Sequence, residues 1–134
     1  TEFSIKALTD AGIKVEELFK QRGDWAQEKG QELAANALAQ FGNKIDVIFC
    51  NNDGMALGAY QAIVAAGRTV GKDIYLVGVD ALAECVQMVK DGTMTGTVLN
   101  DHIGQSHTAV DAAVKYIMGE PVETYLWVDY QKVA

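Results

Sequence analysis

At 134 residues the chain has the length of one domain, long enough to bury about two thirds of its unfolded surface without disulfide staples. Eleven Lys and Arg against 18 Asp and Glu leave a net charge of −7 and a pI near 4.7, the wrong sign for a surface that neutralises nucleic acid or anionic lipid. Apolar residues at 49 % and charged ones at 22 % speak against disorder, and runs such as Val47 to Cys50 fall far short of a membrane span.

In chain order, Phe3, Ile5, Ala7 and Leu8 form a helical stripe over residues 2–11 that stops at Gly12. Residues 13–19 mix Ile13, Val15, Leu18 and Phe19 with charges and read as a strand. Asp24 is placed to cap a helix running from Trp25 to about Phe41, with Leu33, Ala34, Ala37, Leu38 and Phe41 on one side. Residues 45–50, β-branched and apolar apart from Asp46, suit a parallel strand covered on both faces, and a helix over 55–66 follows, ending at Gly67. A second buried strand is expected at 74–79. A helix carrying Leu82, Cys85, Val86 and Val89 comes next and closes at Gly92. A third short strand covers 96–99, an amphipathic helix 103–118, and a last strand 125–133. Strand and helix alternating about every 25–30 residues imply βαβ units. The fold class is therefore α/β, a parallel doubly wound sheet with helices on both faces. Cys50 and Cys85, outside any CxxC and away from a histidine pair, read as small buried apolar residues. No signal peptide, repeat or low-complexity run is visible.

Ligands of open parallel sheets bind beyond the carboxyl ends of the strands. Those positions hold Asn51, Asn52 and Asp53, then Asp80, then Asn100, Asp101 and His102. Helix capping accounts for one polar residue per terminus, not for doublets. Carboxamides and an ionised aspartate match the paired donors and acceptors of vicinal sugar hydroxyls, and no phosphate-binding glycine motif is present. Asp53 and Asp80 could form a hydrolytic carboxylate pair on paper, but two capping aspartates explain them more simply and no nucleophile arrangement accompanies them. Trp25, in the turn before its helix, offers an aromatic face of the kind that stacks on a pyranose. Trp127, inside the last expected strand, reads as packing, and His102 and His107 support no metal site.

The stretches Ile45-Asp46-Val47-Ile48-Phe49-Cys50-Asn51-Asn52-Asp53, Val77-Gly78-Val79-Asp80-Ala81-Leu82 and Gly96-Thr97-Val98-Leu99-Asn100-Asp101 resemble, in order and spacing, motifs of bacterial periplasmic sugar-binding proteins of the type I fold. Their galactose- and glucose-binding members are the most similar. Ile5-Lys6-Ala7-Leu8 and Gly12-Ile13-Lys14 extend the likeness over nearly the whole chain. The resemblance implies a two-lobe, non-enzymatic solute-binding component of a sugar ABC importer, periplasmic or anchored outside the cell as a lipoprotein. Its partners would be a monosaccharide, the importer's permease and a chemoreceptor. It places the sugar-stacking tryptophan on Trp25 and the hydrogen-bonding groups on Asn52, Asp80 and Asn100. It puts Asp46 at the family's bidentate calcium position. Most ligands of that ion come from a loop upstream of Thr1, so calcium belongs to the full-length parent and no cofactor is expected in this chain. Residues 1–100 would form the C-terminal lobe, 101–127 a helix and strand belonging to the other lobe, and 128–134 the return. A doubly wound lobe starts with a strand, so the chain reads as a fragment lacking a central strand between 13–19 and 45–50. Its lone form is expected to rearrange its sheet, swap with a second copy or retain a cleaved upstream segment, and to bind sugar weakly or not at all. The alternative is the effector-binding domain of a sugar-responsive transcriptional regulator, which shares this lobe fold.

Overall fold

A computed structural model describes residues 2–134. In chain order the elements are α1 (Glu2–Asp10), α2 (Gln27–Phe41), β1 (Val47–Phe49), α3 (Asp53–Ala65), β2 (Tyr75–Val77), α4 (Ala83–Lys90), β3 (Thr97–Leu99), α5 (His102–Ile117) and β4 (Gln131–Val133). A short 3-10 turn at Gly42–Lys44 follows α2. From β1 to β3 the chain is the βαβαβ run that the pattern implies, and the architecture is α/β.

β1 and β2 pair in parallel, with Val47 opposite Tyr75 and Phe49 opposite Val77. β3 joins the far side of β2 through the parallel bridge between Val77 and Gly96, and the Asp80 amide donates to Val98 O at 2.8 Å. β4 closes the order antiparallel on β3, with Thr97 opposite Val133. Both parallel crossovers advance in the same direction along the sheet, so their common right-handedness puts α3 and α4 on one face. Ile74 and Leu76, fully buried, point into that layer, while Val47, Phe49 and Tyr75 on the other face remain 48, 37 and 50 % exposed.

The core sits between the sheet and the α2–α3 pair. Ala56, Ala59, Ala62 and Ile63 of α3 meet Ala34, Ala37 and Leu38 of α2, and Cys50, Cys85 and Met94 fill in beneath. Small residues allow the two helix backbones to approach closely. A Cβ at Gly58 would lie 2.7 Å from Gln31 N and closer still to Gln27 O. One at Gly30 would lie 2.7 Å from Met55 Cα. Both cysteines are free and buried, as their setting in the sequence implies.

Several local expectations are overturned. Residues 13–19 form no strand: the one backbone bond recorded from this stretch runs from Ile13 N–H to Leu8 O, and Leu18 and Phe19 only lean on the core. An extended segment becomes a strand when another edge satisfies its backbone, and β1 pairs with β2 alone among the described residues. The last strand shrinks from 125–133 to Gln131–Val133 because β3 ends at Leu99, opposite Gln131, and offers no edge to the residues before it. Trp127 consequently stands 88 % exposed, contrary to its reading as a packing residue. Asp24 does not cap α2: Ala26 occupies that position without a side-chain cap, and Asp24 pairs with Arg22 instead. α1 and α5 form close to the expected places, yet neither buries a residue, and the apolar stripe of α5 leaves Ile103, Val110 and Ile117 exposed.

Candidate functional site

Parallel strands present their carboxyl ends on one edge, so β1, β2 and β3 deliver their following residues side by side. Asn52 and Asp80 each follow their strand by three residues, and Asn100 follows β3 directly. The helices that start beyond these ends use the polar residues unequally. Asn52 is the cap of α3, its Oδ1 accepting from the Met55 amide at 2.9 Å. Asp101 caps α5 in the same way through Gly104 N, also at 2.9 Å. Asp80 caps nothing: α4 begins at Ala83, with Leu82 at its N-cap position. Half-buried, the Asp80 carboxylate has neither a hydrogen bond nor an ion pair among the described residues. The capping explanation thus holds for two strand ends and fails at Asp80, where the carboxylate is left for something else.

Trp25 is joined to this edge. Asn52 Nδ2 donates to Trp25 O at 3.1 Å, which anchors the turn before α2 to the start of α3. The Asn52 amide keeps one N–H and one lone pair beyond the two bonds it makes. The indole is 66 % exposed, so it is not a core residue. Asn100 Oδ1 accepts from Gln105 Nε2 at 2.6 Å, which orients the amide with its NH₂ turned outward from that bond. The structure therefore brings Trp25 to Asn52 and ranges Asp80 and Asn100 along the same sheet edge.

Backbone strain gathers at two of these positions. Among the described residues, the non-glycine residues with positive φ are Asp24 (49°), Trp25 (64°), Asp80 (116°) and Ala81 (55°). Such conformations cost about 1–3 kcal/mol each and persist only where the surroundings enforce them.

Sequence reasoning missed the buried pair that lies beside the Asp80–Ala81 turn. Asp53 is 0 % exposed and Thr97 1 %, the two buried polar side chains among the described residues. Asp53 Oδ1 accepts from Thr97 Oγ1 at 2.7 Å and Oδ2 from Leu82 N at 2.8 Å. Thr97 Oγ1 in turn accepts from Ala81 N at 3.2 Å. Asp53 N donates to Val79 O at 2.7 Å. One carboxylate so ties together the ends of all three parallel strands. Burial pushes its pKa above the ordinary carboxylate value, the bonds from Thr97 and Leu82 pull it back, and the nearby Asp80 charge pushes it up further. With both oxygens engaged and no exposed surface, Asp53 cannot serve in a hydrolytic pair with Asp80. The available signal was Thr97, a hydroxyl on the inward side of a buried strand, which requires a partner nearby.

Asp46 lies at the opposite, amino-terminal end of β1, where its carbonyl accepts from the Tyr75 amide and its side chain faces solvent. Among the described residues no three His, Cys, Asp or Glu side chains gather. Asp46 brings one exposed carboxylate toward the six to eight oxygens that calcium takes.

The geometry has clear counterparts among known proteins. The D-galactose/methyl-galactoside binding periplasmic protein of Haemophilus influenzae is 38 % identical over 124 residues, 90 % of this chain and 35 % of that protein. A solute-binding protein of Bacillus halodurans solved with bound myo-inositol superposes with a TM-score of 0.85 at 32 % identity, covering 98 % of this chain and 44 % of its own. One from Actinobacillus succinogenes with bound D-allose gives a TM-score of 0.86 at 27 % identity, covering 97 % and 45 %. The chain thus spans less than half the length of the relatives it matches. The description of a periplasmic binding protein domain fits residues 1–121, and the chain belongs to the periplasmic binding protein family.

Proposed function

We propose that this chain forms one wall of a monosaccharide-binding cleft in a periplasmic solute-binding protein that delivers sugar to an ABC permease. The observation that carries the reading is Asp80, a half-buried carboxylate at a strained strand end that neither caps a helix nor pairs with a cation among the described residues. An ionised carboxylate in that position accepts from two adjacent hydroxyls at once. Asn52 and Asn100 add amide donors and acceptors on either side, and the exposed Trp25 ring supplies a stacking face for the apolar side of a pyranose. The names of the relatives support a polyhydroxylated ring as the ligand: a galactoside, D-allose and myo-inositol share hydroxyls on neighbouring carbons. No step of this reading is catalytic, and Asp46 takes no part in it.

Residues 101–127 belong in this proposal to the opposite wall. The support is that α5 buries none of its residues against the 45–100 core, although its stripe of Ile103, Val110 and Ile117 is apolar.

The test is a calorimetric titration of the intact protein carrying this sequence with D-galactose, D-glucose, D-allose and myo-inositol. At least one should bind. Asp80→Ala should weaken that binding more than Trp25→Phe, because it leaves two sugar hydroxyls unpaired at about 1–3 kcal/mol each while Phe keeps a stacking face. Absence of binding to any of the four, or the reverse order of the variants, refutes the assignment.

A further inference from the structure

We infer that Asp53 and Thr97 are positioning residues: together they clamp the 80–82 turn in its left-handed conformation and so set the direction in which Asp80 points. The inference deepens the reading above and rests on Asp80 being a ligand-binding group.

The turn itself favours neither conformation. Asp80 at φ 116° and Ala81 at φ 55° sit where an L-residue pays in steric strain, and no glycine is present to relieve it. What holds them is a closed chain of bonds. Ala81 N–H donates to Thr97 Oγ1, whose own proton goes to Asp53 Oδ1, while Leu82 N–H goes to Asp53 Oδ2. Asp80 N–H is fixed separately on Val98 O. Three successive amides, 80, 81 and 82, are thereby pinned to neighbouring strand ends, and the side chain of Asp80 has no bond of its own among the described residues to aim it. The carboxylate is held in turn by its surroundings. Gly78 leaves room that any Cβ would take from Asp53 Oδ1, and the Asp53 amide is bound to Val79 O. A buried polar pair whose bonds all end on one ligand-bearing turn is a costly way merely to fill space, since two apolar side chains would pack there without desolvation. Its bond pattern specifies geometry.

The experiment uses the intact protein and has two arms. The first, independent of any sugar, follows hydrogen exchange at the Ala81 and Leu82 amides. Thr97→Val keeps the shape and removes the hydroxyl, and should speed exchange at Ala81 at least tenfold. Asp53→Ala should do the same at Leu82. Thr97→Ser, which restores the hydroxyl, and Asp53→Asn, which can accept from Leu82 and donate to Thr97, should stay near wild type. The second arm titrates D-galactose, D-glucose, D-allose and myo-inositol. Thr97→Val should lose about tenfold or more in affinity, and adding Ala81→Gly, which adopts φ 55° without help, should restore part of it. Ile63→Val loosens the core away from the turn and should leave affinity unchanged, separating aim from stability.

Wild-type exchange rates in Thr97→Val and Asp53→Ala would show that no clamp exists. Faster exchange with unaltered affinity, or affinity lost equally in Ile63→Val, would show that the clamp does not aim Asp80. A wild-type protein that binds none of the four compounds defeats the sugar reading and with it the positioning role, while the exchange arm alone still decides whether the turn is clamped.

Discussion

Gly58→Ala opposes two effects whose sizes can be compared. In the middle of a helix, replacing glycine by alanine ordinarily stabilises by about 1 kcal/mol, because the unfolded chain has less freedom to lose. Gly58 lies within α3 and is buried against α2, where an added Cβ would fall 2.7 Å from Gln31 N, 3.0 Å from Gln27 C and nearer to Gln27 O. These are backbone atoms of a helix, unable to swing aside as a side chain would. The helices must separate, and with immovable backbone atoms this close the overpacking cost lies at the upper end of its usual range, about 2–3 kcal/mol, so packing outweighs propensity and a net loss of about 1–2 kcal/mol is expected. The consequence reaches the site, since α2 follows Trp25 by two residues and Trp25 O is tied to Asn52 Nδ2 at 3.1 Å. Urea unfolding of the ligand-free intact protein, followed by circular dichroism, measures the first effect, and sugar titration the second. A variant as stable as wild type, or more stable, would refute the close backbone approach and the link drawn from it to Trp25.

Gly78→Ala should destabilise by a further mechanism, about 1–3 kcal/mol, because its Cβ would strike Asp53 Oδ1 and lie 2.7 Å from Met94 Cε; an unchanged melting temperature would count against a fixed Asp53 carboxylate. Cys50 and Cys85, buried and with thiols pushed up to about 12, chiefly by burial and then by the charge of Asp53, should resist a disulfide reagent at about pH 8 until denaturant is added. Rapid labelling of the folded protein would contradict that packing. The raised pKa of Asp53, with Asp80 and the Cys85 and Cys50 thiols facing it, gives a signed pH effect. Above the ordinary value of 3.8 the folded state holds this proton more readily than the unfolded chain. The contribution of Asp53 to stability is therefore full below that value and declines as pH rises through the raised pKa. Unfolding free energies of wild type and Asp53→Asn compared between about pH 4 and 7 should diverge in the variant's favour as pH rises, and divergence the other way would overturn the assignment.

How much of this was legible in the sequence depends on whether the information is local. The β-branched run before Cys50, the caps at Asn52 and Asp101, and the alternation of strand and helix are written in nearest neighbours and periodicity, so the α/β class and most helix positions could be read directly. The polar residues at successive strand ends could be found the same way, because the parallel fold puts every such position on one edge. Strand existence at 13–19 and 125–130 could not, since a strand depends on pairing with an edge brought from elsewhere: residues 13–19 pair with no strand among the described residues, and β3 ends opposite Gln131. Nor could local pattern separate Asp53 from Asp80, although the family resemblance put the ligand role on Asp80 alone. Both are aspartates following short strands, and only the tertiary structure turns one inward to Thr97 and Leu82, fully buried, while leaving the other half-buried and unbonded among the described residues. The difference is physical: a buried carboxylate must find partners that lie 29 and 44 positions away in sequence, and whether they arrive is decided by strand order and crossover hand, not by any local pattern.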